Sequence, residues 1–366
     1  METRHRVVVG DARRLDRIDD GAVDLVVTSP PYPMIEMWDD LFADLDPAVG
    51  DRLDAGDGRA AFDLMHRQLD EVWAEVARVL ADGGIACVNV GDATRTVDGT
   101  FRVYGNHARV ADAFEELGFE PLPDLLWRKP TNSAAKFMGS GMLPPNAYVT
   151  LEHEYVLVFR NGPEPRTFPP GDDRRYRSAY FWEERNRWFS DVWEGIGGED
   201  QALDPDAAGD GDPDLRRRSG AYPLAIPYRL INMYSVQGDT VLDPFWGTGT
   251  TGLAAMAAAR DSVGYEIEPA LAGDFADRVG EAPDLSRAVA RRRLDDHRSF
   301  VAADDGPFEY EAEHYDFPVR TKQERAIRLY AVDDVERTPA PDGVTAFRAV
   351  HVPVEGRAGA AAADGG

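Results

Sequence analysis

The 366-residue chain contains a single cysteine, Cys87. One thiol excludes an internal disulfide and any cluster of thiolate metal ligands, and its setting in the apolar run IACVNV reads as packing. His153 has no partner at a metal-ligand spacing, so no metal is expected. No apolar run reaches the ~20 residues that cross a bilayer, and the charged amino end lacks a leader pattern. A cytoplasmic protein without membrane contact is expected. Lysine is nearly missing: Lys129, Lys136 and Lys322 stand among 40 basic residues, which face 66 acidic ones for a net charge of −26. That sign disfavours an electrostatic polyanion binder, unless dense salt shortens the screening length to ~3 Å. Against such a background, clustered arginines become informative.

What the chain does have is glycine and proline in two meaningful places. The first is VLDPFWGTGTTGLAA (241–255), an apolar strand, an acid with a proline, Gly247 and Gly249, then an Ala-rich helix. Strand, glycine turn and helix form a βα unit of the dinucleotide-binding kind, in which backbone N–H groups at the helix start approach a ligand. Asp243, Pro244, Phe245, Gly247, Thr248, Gly249 and Thr250 are the candidate contacts for a nucleoside carrying a small charged group; an ordinary tight βα turn is the alternative. The next strand-like run, DSVGYEIEP (261–269), ends in Glu266, 23 residues after Asp243. An acid at about this distance holds ribose hydroxyls in such folds, although a merely solvated acid would look the same. The second place is VDLVVTSPPYPMIEMWDD (23–40), where a strand runs into Thr28-Ser29-Pro30-Pro31-Tyr32. Two prolines make the backbone rigid and extended and leave carbonyls free to accept. With the Ser29 oxygen and the flat face of Tyr32, they suit an amino group on a planar ring; a plain Pro-Pro-Tyr turn remains open.

Together the two stretches resemble the amino-group DNA methyltransferases, which move the methyl of S-adenosylmethionine to cytosine N4 or adenine N6. SPPY corresponds to the family's catalytic motif and DPFWGTGTT to its cofactor loop, and the order of the two is that of the permuted β class. The resemblance spans roughly residues 5 to 280. It implies a Rossmann-like α/β fold with a doubly wound, mostly parallel sheet, catalysis by Ser29, Pro30, Pro31 and Tyr32, and Asp11 of the Gly10-Asp11 pair on the cofactor adenine, where a helix N-cap is the competing role. It also implies double-stranded DNA as partner and, for a restriction-modification system, a cognate endonuclease acting separately. Because Ser-Pro-Pro-Tyr usually accompanies cytosine, N4-methylcytosine is the expected product, and archaeal relatives suggest a short palindrome such as CTAG. N6-adenine, an RNA or other amine substrate, and a catalytically silent DNA-binding relative are the alternatives. The acidic, arginine-rich composition fits a halophilic, haloarchaeal source.

The rest of the chain supplies scaffold and an insertion. HRVVVGDARRL (5–15) reads as strand, turn and helix start, and the acidic, glycine-dotted 39–60 as a mobile loop. Apolar residues at helical spacing over 61–80 stop at Asp82-Gly83-Gly84 before the strand 85–92; a helix over 107–117 and a strand pair over 119–130 follow. In 127–160, Lys129 and Lys136 lie in a loop expected near DNA, while Glu152 and His153 read as packing or strand-end hydrogen bonds. Residues 172–193 interleave Arg174, Arg175, Arg177, Arg185 and Arg187 with seven aromatic residues, a pattern for phosphate and base contacts. The alternative is an aromatic mini-core with arginines paired to Glu183, Glu184 and Asp191. The division expected is 1–160 (catalytic half), 161–220 (target recognition, with Arg216-Arg217-Arg218), 221–284 (cofactor half, with a Pro-rich helix entry) and 285–366, an extension with no assigned role.

Overall fold

The computed structural model describes residues 1–129, 138–197 and 222–356. Its main sheet contains β1 (Glu2–Val9), β2 (Val23–Thr28), β3 (Leu80–Val90), β4 (Phe119–Arg128), β5 (His153–Asn161), β6 (Val192–Trp193), β7 (Thr240–Asp243), β8 (Asp261–Glu266), β9 (Tyr330–Thr338) and β10 (Val344–Pro353). The spatial order is β6-β4-β5-β3-β2-β7-β8-β1-β10-β9. From β3 to β1 the five central strands run parallel; β5 and β10 are antiparallel additions on either side. This is the expected doubly wound sheet with antiparallel wings. Its middle strands are apolar without alternation, as Val23, Leu25, Val26 and Val27 of β2 show by being at most 1% exposed, because both faces are covered.

One face carries the long helix Gly58–Val79, whose Asp57 accepts from Ala60 N–H at the start and whose Met65, Leu69, Val72 and Trp73 face inward. The other carries helices Ala225–Tyr234, Thr250–Ala257 and Ala282–Ala303. The connection after β2 therefore enters one layer and that after β7 the other. Between these adjacent strands the sheet has its switch point, where ligand clefts open at the carboxyl ends of strands.

Several expectations are corrected. Residues 39–60 hold two short helices, Asp39–Leu45 and Ala48–Asp54, because Phe42 and Val49 are fully buried and pin this acidic stretch to the core. No helix follows Gly10; residues 11–22 cross the sheet as turns, with Ala12, Leu15 and Ile18 as the buried anchors. The expected strand pair at 119–130 is one strand, β4, with an irregular register between Leu122 and Leu125. Pro121 and Pro123 supply no N–H there, and the Asp124 carboxylate takes up the Val158 N–H instead (3.1 Å).

Residues beyond 285 build the far side of the sheet. β10 pairs along β1 from Glu2↔Val350 to Val8↔Val344, and helix Ala282–Ala303 sends Arg293 into a buried bidentate pair with Glu184 (2.6 and 2.8 Å). Removing one member of such a pair leaves a charge without a partner, so Glu184→Leu is expected to cost about 3–5 kcal/mol in urea unfolding. The double variant Glu184→Leu with Arg293→Met is expected to recover most of that loss.

Candidate active site

Asp243 ties the two motifs together across 215 residues of chain. Thr28 Oγ1 donates to its Oδ1 (2.6 Å), Thr251 Oγ1 to its Oδ2 (2.5 Å) and Phe245 N–H to Oδ1 (3.1 Å), while Tyr222 reaches Thr251 (2.6 Å). The carboxylate is 2% exposed, and burial pushes its pKa up to about 6. It thus fixes the end of β7 to the end of β2.

The turn after β7 is shaped by what its glycines admit. Gly249 has φ +79°, and a Cβ there would meet Phe275 Cδ2 at 2.2 Å; a Cβ on Gly264 of β8 would meet Trp246 at 2.0 Å. Glycine at both positions lets the Trp246 indole turn inward, leaving Phe245 and Gly247 toward the cleft. Thr248, Gly249 and Thr250 are buried behind that turn. Glu266 closes it, accepting from Gly247 N–H (2.7 Å) and Glu268 N–H (2.9 Å). Burial raises the Glu266 pKa to about 7.

The resulting cleft has a volume of about 310 Å³, within the ~300–1,000 Å³ of small-molecule sites. Asp11, Ser29, Pro30, Pro31, Tyr32, Pro244, Phe245, Gly247 and Glu266 all line it, with Ile35, Trp38, Leu69 and Val72 as apolar wall. Asp11 holds Arg13 through Oδ2 (2.6 Å) and accepts the Arg13 N–H (2.9 Å), so its carboxylate is engaged at the rim.

At the Ser29 end stands a polar cluster that sequence reading missed. Tyr32 OH lies 3.0 Å from Ser29 Oγ and donates to Glu154 Oε2 (3.0 Å); Asn89 Nδ2 donates to Tyr32 OH (2.8 Å) and Glu154 Oε2 (2.7 Å). Burial and, next, the Glu154 charge hold the Tyr32 phenol well above its ordinary pKa, keeping it protonated. Lys129, expected on DNA, instead pairs with Glu154 Oε1 (2.7 Å). Glu152 is exposed beside Arg128 (3.6 Å) and His153 packs edge-on against Tyr155 (4.9 Å). The His153-Glu154-Tyr155 run that opens β5 was the available signal, and its middle residue is the one in the cluster.

The arginine-aromatic stretch is not gathered at this cleft. Arg174 pairs with buried Asp239 (2.7 Å), Arg175 lies over Phe168 (5.3 Å), Arg177 donates to the Asp173 carbonyl (3.2 Å), Arg185 covers Phe189 (4.1 Å) and Arg187 reaches Asp296 (3.3 Å). Asp239 precedes β7, so Arg174 sits at the amino ends of the parallel strands, about 16 Å of strand from Ser29. A larger concavity of about 930 Å³, lined by Asp24, Arg160, Arg175 and Arg185, occupies that opposite edge. Phe181, Trp188 and Trp193 of this stretch are buried, as the aromatic mini-core alternative has it, while Tyr176 and Trp182 remain exposed. Glu184 there pairs with Arg293 and Glu183 with His297, not with the local arginines. Lys136 and Arg216-Arg217-Arg218 lie outside the described residues. Among those described, no group of acids, histidines and cysteines could hold a metal ion, and no helix is long and apolar enough to cross a membrane.

Comparison with known proteins agrees with this geometry. Residues 23–274 match the N6_N4_Mtase family, DNA methylase. The Type II methyltransferase M.MthZI of Methanothermobacter thermautotrophicus is 48% identical over 333 residues, covering 90% of this chain and 91% of its own length. The Type II methyltransferase M.MjaI of Methanocaldococcus jannaschii is 48% identical over 291 residues, 76% of this chain and 92% of its own. Among solved structures, TTHA0409 from Thermus thermophilus, a putative DNA modification methylase complexed with S-adenosyl-L-methionine, is 30% identical with a TM-score of 0.57, covering 75% of this chain and 92% of that one. With both motifs lining one cleft and the family matched over most of the chain, this protein belongs to the N6/N4 DNA methylases.

Proposed function

We propose that the chain methylates the exocyclic N4 of a cytosine flipped out of duplex DNA, with S-adenosylmethionine as methyl donor. The observation that carries this is the Thr28–Asp243 bond (2.6 Å), which sets Ser29 and the Gly247–Glu266 cleft side by side. The cleft suits the cofactor: apolar walls for a ring, a carboxylate at ribose reach, and glycine backbone where a side chain would intrude. When bound, S-adenosylmethionine supplies an electrophilic methyl with a good leaving group. The protein does the positioning. Flipping costs a few kcal/mol, offset by stacking on Tyr32. The Ser29 oxygen and the Pro30 carbonyl accept the two amine hydrogens, which orients the nitrogen lone pair, and alignment of this kind is worth much of the rate.

Cytosine is favoured over adenine by the motif at Ser29, because Ser-Pro-Pro-Tyr usually accompanies cytosine among the amino-group DNA methyltransferases. A serine oxygen meets the amine as a neutral acceptor, whereas a carboxylate in its place would bring a full charge beside the base. DNA would approach the end of the sheet where Arg128 and the exposed Met142 and Leu143 lie, near the Tyr148–Phe101 stack (5.1 Å). A short palindrome such as CTAG is the proposed site, protected against a separate cognate endonuclease, and the acidic surface suits a saline cytoplasm. Methylation-sensitive sequencing of DNA from a host expressing the protein tests this: one short motif methylated at cytosine supports it, and unmodified DNA opposes it.

Glu266 gives the site a pH signature. Its pKa is about 7 in the free protein, and only the carboxylate accepts both ribose hydroxyls, so protonation competes with the cofactor. Affinity should rise about tenfold from pH 6 to pH 8 and level above. Calorimetry should also show proton release at pH 6.5; a flat profile would remove Glu266 from the ribose site.

A further inference from the structure

We propose that Glu154 is a positioning residue that sets the direction of a hydrogen-bond chain ending at Ser29, so that the Ser29 oxygen faces the substrate amine as an acceptor only. The proposal rests on the amino-methyltransferase reading above and adds to it a reason for Glu154, Asn89 and Lys129.

Each Glu154 oxygen and each Asn89 amide hydrogen has a partner in the cluster, while Asn89 Oδ1 is buried without one. Glu154 is 9% exposed and, as a carboxylate, accepts only. Its Oε1 takes Lys129 (2.7 Å), and its Oε2 takes Tyr32 O–H (3.0 Å) and one Asn89 N–H (2.7 Å). The second Asn89 hydrogen goes to the Tyr32 oxygen (2.8 Å). Tyr32 has now spent its only proton, so at the 3.0 Å contact with Ser29 the serine must donate. Both lone pairs of Ser29 Oγ are then left for the amine, apart from a long 3.4 Å approach of Asn89 Nδ2.

This polarity matters for chemistry at an amine. A free serine hydroxyl donates as readily as it accepts. Turned toward the target nitrogen, its proton would occupy the lone pair that must attack the methyl. Anchoring that proton on Tyr32 prevents the unproductive arrangement, and the chain Lys129–Glu154–Tyr32–Ser29 keeps it anchored with no motion at the moment of transfer. Sheet order makes the assembly possible: β3 lies between β2 and β5, so Asn89 stands between Ser29 and Glu154.

The test is a set of four variants assayed on duplex DNA beside the parent enzyme. Glu154→Leu, which fills the space without accepting, should lower kcat about tenfold to a hundredfold with cofactor affinity within about twofold. Glu154→Gln should keep more activity than the leucine variant, since its amide oxygen can still take the Tyr32 proton. Tyr32→Phe cuts the same chain one link later, so Tyr32→Phe with Glu154→Leu should be no slower than the worse single variant. A packing role predicts the reverse: glutamine no better than leucine, and losses that multiply. Full kcat in active Glu154→Leu enzyme overturns the chain alone, whereas a parent protein that binds cofactor and methylates nothing overturns the methyltransferase reading along with it.

Discussion

Ser29→Ala is expected to lower methyl transfer about 100-fold or more while leaving S-adenosylmethionine affinity within about twofold, a loss on the scale of removing one preorganised polar group from a reacting centre. The hydroxyl touches Tyr32 at 3.0 Å and makes no bond to Asp243, Gly247 or Glu266, so the cofactor side of the cleft keeps its shape. Ser29 is partly exposed, and its backbone is held by the prolines that follow, so stability should change little. Steady-state kinetics on duplex DNA with calorimetry of cofactor binding checks both halves. Near-parent turnover would remove Ser29 from the chemistry.

Asp243→Ala should act differently, lowering cofactor affinity at least tenfold and stability by about 2–3 kcal/mol together. Three donors converge on this carboxylate, two of them side chains from β2 and from the helix after the turn. Alanine leaves those donors buried and uncouples the SPPY strand end from the cofactor turn. The loss thus reaches the ligand through the turn that this carboxylate holds. Asp243→Asn separates the charge from the bonds. The folded pKa of Asp243 is raised from 3.8 to about 6, so folding favours the protonated acid: its contribution to stability is present at low pH and is lost as pH rises from about 4 to 6. Urea unfolding of parent and Asp243→Asn should therefore diverge across that window and run parallel above it. Parallel curves throughout would show that the acid pays no burial cost.

Both motifs were legible in sequence because their chemistry is local: prolines fix Ser29-Pro30-Pro31-Tyr32, and Gly249 is required where φ is +79°. Glu266 was legible by its distance from Asp243 along a βα unit. Glu154 and Asn89 were not, since they meet Tyr32 only through the order β2-β3-β5, which spacing along the chain does not encode. The arginine-aromatic run left two roles open for a related reason. Alternation of residue types does not tell which side chains turn inward, and here the aromatics Phe181, Trp188 and Trp193 were taken by the core, leaving arginines for Asp239 and Asp296. Nor did acidity over 39–60 reveal that Phe42 and Val49 would fold it. The alternation of FRAVHV was visible, but its partner β1 lies at the other end of the chain.

The most direct test of the account is to incubate the purified protein with S-adenosylmethionine and duplex DNA, digest the product to nucleosides and identify them by mass spectrometry with chromatographic separation. N4-methylcytosine, resolved from 5-methylcytosine by retention, is the result the account requires. N6-methyladenine would overturn the reading of Ser29 as a cytosine determinant while leaving the family chemistry intact, and a protein that binds the cofactor yet leaves every nucleoside unmethylated would contradict the account at its centre.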